Sequence, residues 1–413
     1  MAHRGMNRRQ FIRTTALGAV ATGLGVPSLR AGSKPAQTKE PTKILYRTLG
    51  RTGLSIPLVS FGVMNSDSPD LIRKALDMGV THLDTAHSYL RGKSETVIGE
   101  VIKKRGGRDK VYIATKMKFE RDRDKGEFSA RGGPCTPGAT EENLEKQLHK
   151  SLERLQTDYV DILYLHNCTS PAMVTNRLMM KAFSKVKQQG KARFIGISTH
   201  TKEPECIHAA ADAKIWDVVL TAQNFLKENR DEIAQANAYA VSRGVGIIAM
   251  KTQGGVRLSQ EKKVQVNHAA ALKWVLGDEN VCTTIPGMTT FDQLDLDFGV
   301  MANLALSEQE RRDLEISAML KGPLFCQNCG SCVETCPQDV RIPTLMRAFM
   351  YQEGYGNLWE ARMAVADLPS QRGLEMCRNC SRCTALCRNG IDIHARLRSL
   401  MAMDMGMTEH SAG

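Results

Sequence analysis

Aromatic residues make up only 5% of this 413-residue chain, and no residue type forms a long biased tract. Basic residues are mostly interleaved with acids, as in "ERDRDKGE" and "SEQERRDLE". A nucleic-acid surface would cluster its cations, so no nucleic-acid partner is expected. With no low-complexity segment and 42% hydrophobic residues, the chain is neither disordered nor fibrous, and it can bury a core large enough for two domains. Acid is absent from the first 31 residues. They carry Arg4, Arg8, Arg9, Arg13 and Arg30, and setting these five aside lowers the formal charge from +12 to +7. Four of the twelve cysteines, Cys135, Cys168, Cys206 and Cys282, show no framework spacing and are expected as free thiols.

The other eight cysteines lie in two runs, "CQNCGSCVETCP" (326–337) and "CRNCSRCTALCRNG" (377–390). Each run is C-x2-C-x2-C-x3-C, formed by Cys326, Cys329, Cys332 and Cys336 and then by Cys377, Cys380, Cys383 and Cys387. Zinc sites and disulfide frameworks are the alternatives, but zinc ligands usually come as two C-x2-C pairs. Three close thiolates with a remote fourth suit a cubane iron–sulfur cluster. The stretch resembles a two-cluster bacterial ferredoxin module, which implies two [4Fe-4S] clusters. In that family the fourth cysteine of each run serves the other cluster. Carried over, Cys326, Cys329, Cys332 and Cys387 hold one cluster, and Cys377, Cys380, Cys383 and Cys336 the other. Pro337 follows Cys336 as in the family, whereas Arg388 follows Cys387 and departs from it. Helical apolar spacing in "IPTLMRAFMYQEG" and "NLWEARMAVADL" places the module, residues 323–400, with the helical ferredoxins. Residues 401–413 are expected as a tail.

The opening stretch, "NRRQFIRTTALGAVATGLGVPSLRA", joins Arg8 and Arg9 to a weakly apolar run. That run is short, rich in Gly and Thr and interrupted by Pro27, unlike a membrane helix. It resembles a twin-arginine signal peptide over residues 1–31, with a cut after Ala31 and a linker over 32–43. The resemblance implies the export machinery as a partner and a periplasmic or otherwise exported destination. Clusters are inserted in the reducing cytoplasm, so a chain carrying them must cross already folded.

Between residues 44 and 305 eight short apolar runs alternate with helical segments: "IPLVSFGV", "THLDTA", "VYIATK", "VDILYLH", "ARFIGIS", "WDVVLTA", "GVGIIAM" and "VCTTIPG". Eight such units predict an α/β fold, a (β/α)8 TIM barrel, where a doubly wound sheet would stop at five or six. The hairpin-like "YRTLGRTGLS" is expected to close the barrel floor. "LSEQERRDLEISAML", with Ser307 and Glu310 spaced as a capping box, predicts a helical bridge over 306–322.

Barrel chemistry sits where the strands end. Asp84 and Tyr89 follow the second strand, Lys116 ends the third and His166 ends the fourth. In residue type and order these match the aldo-keto reductases, and "YLRGKSETVIG", "SLERLQTDYVDILYLH", "GKARFIGIST" and "IPGMTT" extend the resemblance over most of residues 44–305. It implies catalysis by Asp84, Tyr89, Lys116 and His166. A carbonyl that gains electrons needs a proton donor at its oxygen, and Tyr89 can be one if a cation stabilises its anion. Lys116 is expected to lower the Tyr89 pKa, Asp84 to keep Lys116 charged, and His166 to orient the carbonyl.

The same resemblance implies NAD(P), with Ser198, Thr199 and Gln223 at the nicotinamide and Lys251, Gly254, Gly287, Met288, Thr289 and Gln293 toward the phosphates. The sequence departs from the family here. Thr199 replaces an asparagine, Leu220 a glutamine, and Gln223 an aromatic stacking residue, with Phe225 two places further on. Gly287, Gln293 and Asp297 stand where NADP-dependent members carry Lys or Arg.

Three functions fit these residues: a carbonyl–alcohol oxidoreductase for a sugar, polyol or aldehyde whose clusters exchange electrons with a carrier partner, the same barrel working without nicotinamide, or a redox-dead barrel that docks a partner for the ferredoxin module. Four ionisable groups converging at one barrel mouth favour an enzyme. The loop "KMKFERDRDKGEFSARGGPCTPGAT" is expected to cover that mouth.

Overall fold

Strands form where apolar runs can be buried on both faces, as parallel sheets require; Val160–Leu165 of the fourth run is buried at every position. The computed structural model describes residues 43–122, 125–133, 135–254, 266–378 and 380–404. The expected signal peptide, most of the linker and most of the tail lie outside these residues.

Strands β1 (Tyr46–Thr48) and β2 (Ser55–Pro57) form an antiparallel hairpin. The barrel strands are β3 (Phe61–Gly62), β4 (His82–Asp84), β5 (Tyr112–Met117), β8 (Val160–Cys168), β9 (Ala192–Thr199), β10 (Val218–Ala222), β11 (Gly246–Met250) and β12 (Val281–Thr284). They are parallel and pair in chain order. Ser60 N donates to Thr284 O at 2.8 Å and Gly62 N to Pro286 O at 3.0 Å, which joins the first strand to the last and closes a (β/α)8 barrel. A small hairpin, β6 (Arg121–Asp122) with β7 (Glu127–Phe128), stands in the loop after β5.

The first hairpin plugs the floor. Leu49, Leu54 and Ile56 pack with Ile162, Tyr164, Leu220 and Ile248 inside the barrel, and Arg47 donates to the carbonyls of Leu276 (3.0 Å) and Val281 (2.6 Å). Outside, helices such as Pro69–Asp77 and Glu141–Leu155 lay apolar faces on the strands, started by the caps Ser68 and Thr140.

Helix Glu308–Lys321 opens with the Ser307–Glu310 capping box, and Lys273 holds its first turn through Glu310 at 2.7 Å. It leads to helices Ile342–Phe349, Leu358–Ala366, Leu374–Arg378 and Ile393–Asp404. Leu345, Met346, Ile391, Leu397 and Leu400 form their core, with six of the eight run cysteines packed against it. This helical region rests on the C-terminal ends of the barrel strands. Asn357 Nδ2 donates to Asn65 Oδ1 at 2.7 Å, and Lys118 pairs with Asp367.

Candidate active site

Asp84 is the last residue of β4, Lys116 lies near the end of β5 and His166 near the end of β8, so three strands deliver their side chains to one place. Lys116 Nζ donates to Asp84 and, at 2.6 Å, to Thr85 O. It sits 5.0 Å from the centroid of the Tyr89 ring, which meets His166 edge to face at 6.0 Å. The four predicted residues are therefore assembled. Asp84 Oδ2 and His166 Nδ1 are buried and have no hydrogen-bond partner among the described residues.

Burial pushes the Asp84 carboxyl up and the Lys116 ammonium down, and each opposes the shift of the other. For Tyr89 the expectation is reversed. Burial, then Asp84, Glu360 and Tyr351, hold its phenol well above the ordinary value. The Lys116 charge is matched by Asp84, so it does not offset desolvation. Tyr89 thus stays protonated and suits the role of donor. His166 is kept neutral by burial and then by Lys116, Lys118, Arg121 and Lys251.

Tyr89 is carried on an unusual turn. Leu90 (φ 50°) and Arg91 (φ 58°) are both left-handed, at a cost of roughly 1–2 kcal/mol each. Arg154 Nη1 holds His87 O at 2.9 Å, Trp359 Nε1 donates to Ser88 O at 3.4 Å, and Arg91 covers the Trp359 indole at 4.2 Å.

Trp359 belongs to the helical region, as does the roof of the site. A chamber lined by Tyr89, His166, Lys118 and Arg121 from the barrel is roofed by Arg347, Tyr351, Glu360 and Asp367, and it opens to solvent past His149 and Lys150. Cys135, Thr136 and Pro137 of the long loop form its side. Lys251, left-handed at φ 58°, lies beneath Tyr351 (5.1 Å) and Tyr355 (4.9 Å), and burial lowers its pKa to about 8. None of the roof residues was named from sequence. "YQEGYG" and its flanks show helical periodicity, which does not tell which surface a helix will cover.

The predicted cofactor residues divide. Lys251, Gly287, Thr289 and Gln293 line a second cavity that reaches Asp84, Tyr89 and Lys116, roofed by Gly354 and Tyr355. Gly254 (φ 70°) makes the turn after Lys251. The others face elsewhere. Gln223 spends its amide on Asn237 (2.9 Å) and Asp278 (3.2 Å), Thr199 Oγ1 donates to Thr201 O (2.9 Å), and Ser198 Oγ accepts from Asn167 N (2.8 Å). Met288 is a core side chain, and Phe225 packs with Leu226, Val266 and Leu314. At the ring end Gln223 and Thr199 are thus engaged with protein partners while the Ser198 hydroxyl proton is uncommitted, and at the far end the groove lined by Gly287, Thr289 and Gln293 is open to a ligand.

The cysteines group across the two runs. One cavity is lined by Cys326, Cys329, Cys332 and Cys387 together. Burial, then Cys326, Cys329 and Cys387, pushes the Cys332 thiol up to about 12. Cys377 is pushed up to about 11 by burial, then by Cys336, Cys383 and Cys380. Cys332 and Cys377 each sit among thiols that oppose their ionisation, and a cluster's iron would satisfy such a donor set; the first group, which shares one cavity, fits it directly. The first group adjoins the barrel. Gln327 Nε2 donates to Leu226 O (2.9 Å), Asn328 Nδ2 to Thr201 Oγ1 (2.7 Å), and Asn389 Nδ2 to Glu228 Oε1 (2.8 Å). A third cavity runs past Cys326, Tyr351 and Lys251.

A family model described as "Aldo/keto reductase family" matches residues 60–268. The chain belongs to the aldo/keto reductase family. A second model, "4Fe-4S dicluster domain", matches residues 325–392. Similar proteins include L-galactose dehydrogenase of Arabidopsis thaliana, 27% identical over 323 residues and covering 68% of this chain and 95% of that one. L-glyceraldehyde 3-phosphate reductase of Escherichia coli O157:H7 is 24% identical over 333 residues, covering 65% and 91%. Among solved structures, the aldo-keto reductase AKR11C1 from Bacillus halodurans, holo form, superposes with a TM-score of 0.54 at 22% identity, covering 66% of this chain and 96% of that one. This aldo/keto reductase is thus an oxidoreductase with a 4Fe-4S dicluster region that finishes its barrel mouth.

Proposed function

We propose that the protein is an exported oxidoreductase that interconverts the carbonyl and alcohol of a small sugar, polyol or aldehyde and exchanges electrons through two [4Fe-4S] clusters. The observation that carries this reading is the roof: Tyr351 and Glu360, between the two cysteine runs, line the same chamber as Tyr89 and His166. The two relatives named for a sugar and a sugar phosphate support the substrate class. The twin arginine at Arg8 and Arg9 supports export.

Reduction of a carbonyl takes two electrons and two protons, one at carbon and one at oxygen; Tyr89 can supply the proton at oxygen, and a hydride donor of the nicotinamide class, in the second cavity that reaches Tyr89 and Lys116, would supply the electron pair and the hydrogen at carbon. Lys116, held in place by Asp84, lies 5.0 Å from the Tyr89 ring, and because its charge is matched by Asp84 the phenolate left behind is a strong base that is reprotonated before the next turnover. His166 Nδ1 is unpartnered within the barrel, and the imidazole is placed to orient the substrate oxygen. When bound, iron–sulfur clusters supply electrons singly, and two of them match a two-electron change.

Tyr89→Phe tests the reading. In the anaerobically purified protein, assayed with a one-electron dye and with NAD(P)H on sugars, polyols and small aldehydes, it should lower turnover about a hundredfold or more with cluster spectra unchanged. Wild-type turnover by Tyr89→Phe would leave the barrel as a docking platform for the ferredoxin-like region.

A further inference from the structure

We propose that Glu360 and Lys251 hold a hydroxyl group of the substrate between them, so that the molecule reacting at Tyr89 carries a hydroxyl close to its carbonyl, as sugars do and plain aldehydes do not. The inference rests on the proposed carbonyl–alcohol chemistry and narrows the class of molecule that undergoes it.

The two side chains come from different parts of the fold, and each stands on anchored backbone. Glu360 lies in the first turn of helix Leu358–Ala366 in the roof, where its N–H donates to Asn357 Oδ1 at 3.0 Å, and Asn357 in turn donates to Asn65 of the barrel. Lys251 follows β11. Its left-handed backbone is held by two hydrogen bonds to its carbonyl, from Asn224 Nδ2 at 3.0 Å and from Gly254 N at 3.1 Å. Both side chains line the chamber that holds Tyr89 and His166. Lys251 also lines the cavity that reaches Asp84 and Lys116, and the charge of Glu360 acts on Tyr89, so the pair stands next to the catalytic residues.

Glu360 Oε1 is buried and has no hydrogen-bond partner among the described residues. Among those residues Lys251 Nζ makes one weak contact, with the Met64 sulfur at 3.9 Å. Tyr351 and Tyr355 flank the ammonium with their rings at 5.1 Å and 4.9 Å, which attracts its charge and leaves N–H groups available. Burial, opposed by Lys118 and Lys251, raises the Glu360 carboxyl, and burial, opposed by Glu360, lowers Lys251. Lys118 and Lys116 also act on Glu360, but they are paired with Asp367 and Asp84. Lys251 and Glu360 thus attract one another, yet among the described residues no ion pair joins them. The group that completes such a pair must donate to the carboxylate and accept from the ammonium. A hydroxyl does both and a methylene neither. A site built for a hydroxyl rejects the analogue that lacks it, because its own polar groups are then left unmatched.

The test is calorimetric binding to the full-length, anaerobically purified protein. Erythritol and threitol are compared with 1,4-butanediol, which has the same chain and end groups without the inner hydroxyls, and the better tetritol should bind about tenfold or more tightly than the diol. Glu360→Met and Lys251→Met should each bring that ratio down to about twofold or less, and the double variant should do no more than either single change, because one hydroxyl bridges both groups. Glu360→Gln, which keeps an acceptor, should fall between wild type and Glu360→Met. Iron content and cluster absorbance equal to wild type show that each variant is folded. Tetritols binding no more tightly than the diol overturn the proposal, as does a tetritol preference that survives in either Met variant. Losses that add in the double variant would mean two separate contacts and overturn the bridge. Binding needs no turnover, so a tetritol preference that persists in Tyr89→Phe stands even if the catalytic reading fails.

Discussion

The Trp359 indole donates to the carbonyl of Ser88 at 3.4 Å, one residue before Tyr89. A side chain of the cysteine-bearing region therefore fixes the turn that presents the phenol. Leu90 and Arg91 are left-handed in that turn, and strain of this kind persists only where the surroundings over-determine it.

Removing the clamp should free the turn. Trp359→Ala should lower turnover about tenfold while the visible spectrum of the clusters stays that of wild type, because a misplaced donor costs rate without touching a ligand. Trp359→Phe, which keeps a ring for Arg91, should fall between. Steady-state rates and absorbance read side by side decide it, and an unchanged rate in Trp359→Ala would dissociate the roof from catalysis.

The crossed grouping of cysteines makes an asymmetric prediction. The wild-type chain should hold roughly eight iron atoms, and Cys336→Ser should leave roughly four, with damage to the cluster of Cys377, Cys380 and Cys383. Cys387→Ser should damage the cluster of Cys326, Cys329 and Cys332. Iron analysis with electron paramagnetic resonance distinguishes the two. Each substitution harming the cluster of its own run would mean local ligation.

Asp297, buried beside Gln253 at 2.9 Å, has its pKa raised from 3.8 to about 7 by burial. Between these values the folded chain keeps a proton that the unfolded chain has lost, so stability falls as pH rises across that window. Asn at this position can still accept from Gln253 and has no charge to desolvate. The Tm advantage of Asp297→Asn should therefore widen from pH 5 to pH 7 and level off above about pH 8, by an amount on the order of 2 kcal/mol. Thermal unfolding at four pH values measures it, and an offset that does not vary with pH would assign the gain to some other cause.

Export can be tested independently of the barrel. Replacing Arg8 and Arg9 together by Lys keeps the charge but removes the pair that the twin-arginine machinery reads. Precursor should accumulate in the cytoplasm with its clusters intact, as fractionation and immunoblotting would show. Undiminished mature protein outside the inner membrane would exclude that route.

The barrel was legible because each strand is an apolar run of the right length followed by a helical one. The first run is the least regular. Its first two residues, Ile56 and Pro57, belong to the floor-hairpin strand Ser55–Pro57, and only Phe61–Gly62 is regular barrel strand. Asp84, Tyr89, Lys116 and His166 were legible from their places at strand ends. The Tyr89 shift was not, because it depends first on burial, then on Asp84, and then on Glu360 and Tyr351, which reach the site from some 260 residues further along the chain. The Gln223 side chain was misplaced for a related reason. Position after a strand locates the backbone, while the direction of an amide is settled by its partners, here Asn237 and Asp278 on neighbouring elements.

The roof also redirects the way in. With Tyr351, Glu360 and Asp367 lying over Tyr89 and Lys118, the approach along the barrel axis is covered. The rim that stays in solvent is the one formed by His149 and Lys150 of helix Glu141–Leu155, so a reacting group reaches Tyr89 sideways, across that helix, rather than from above.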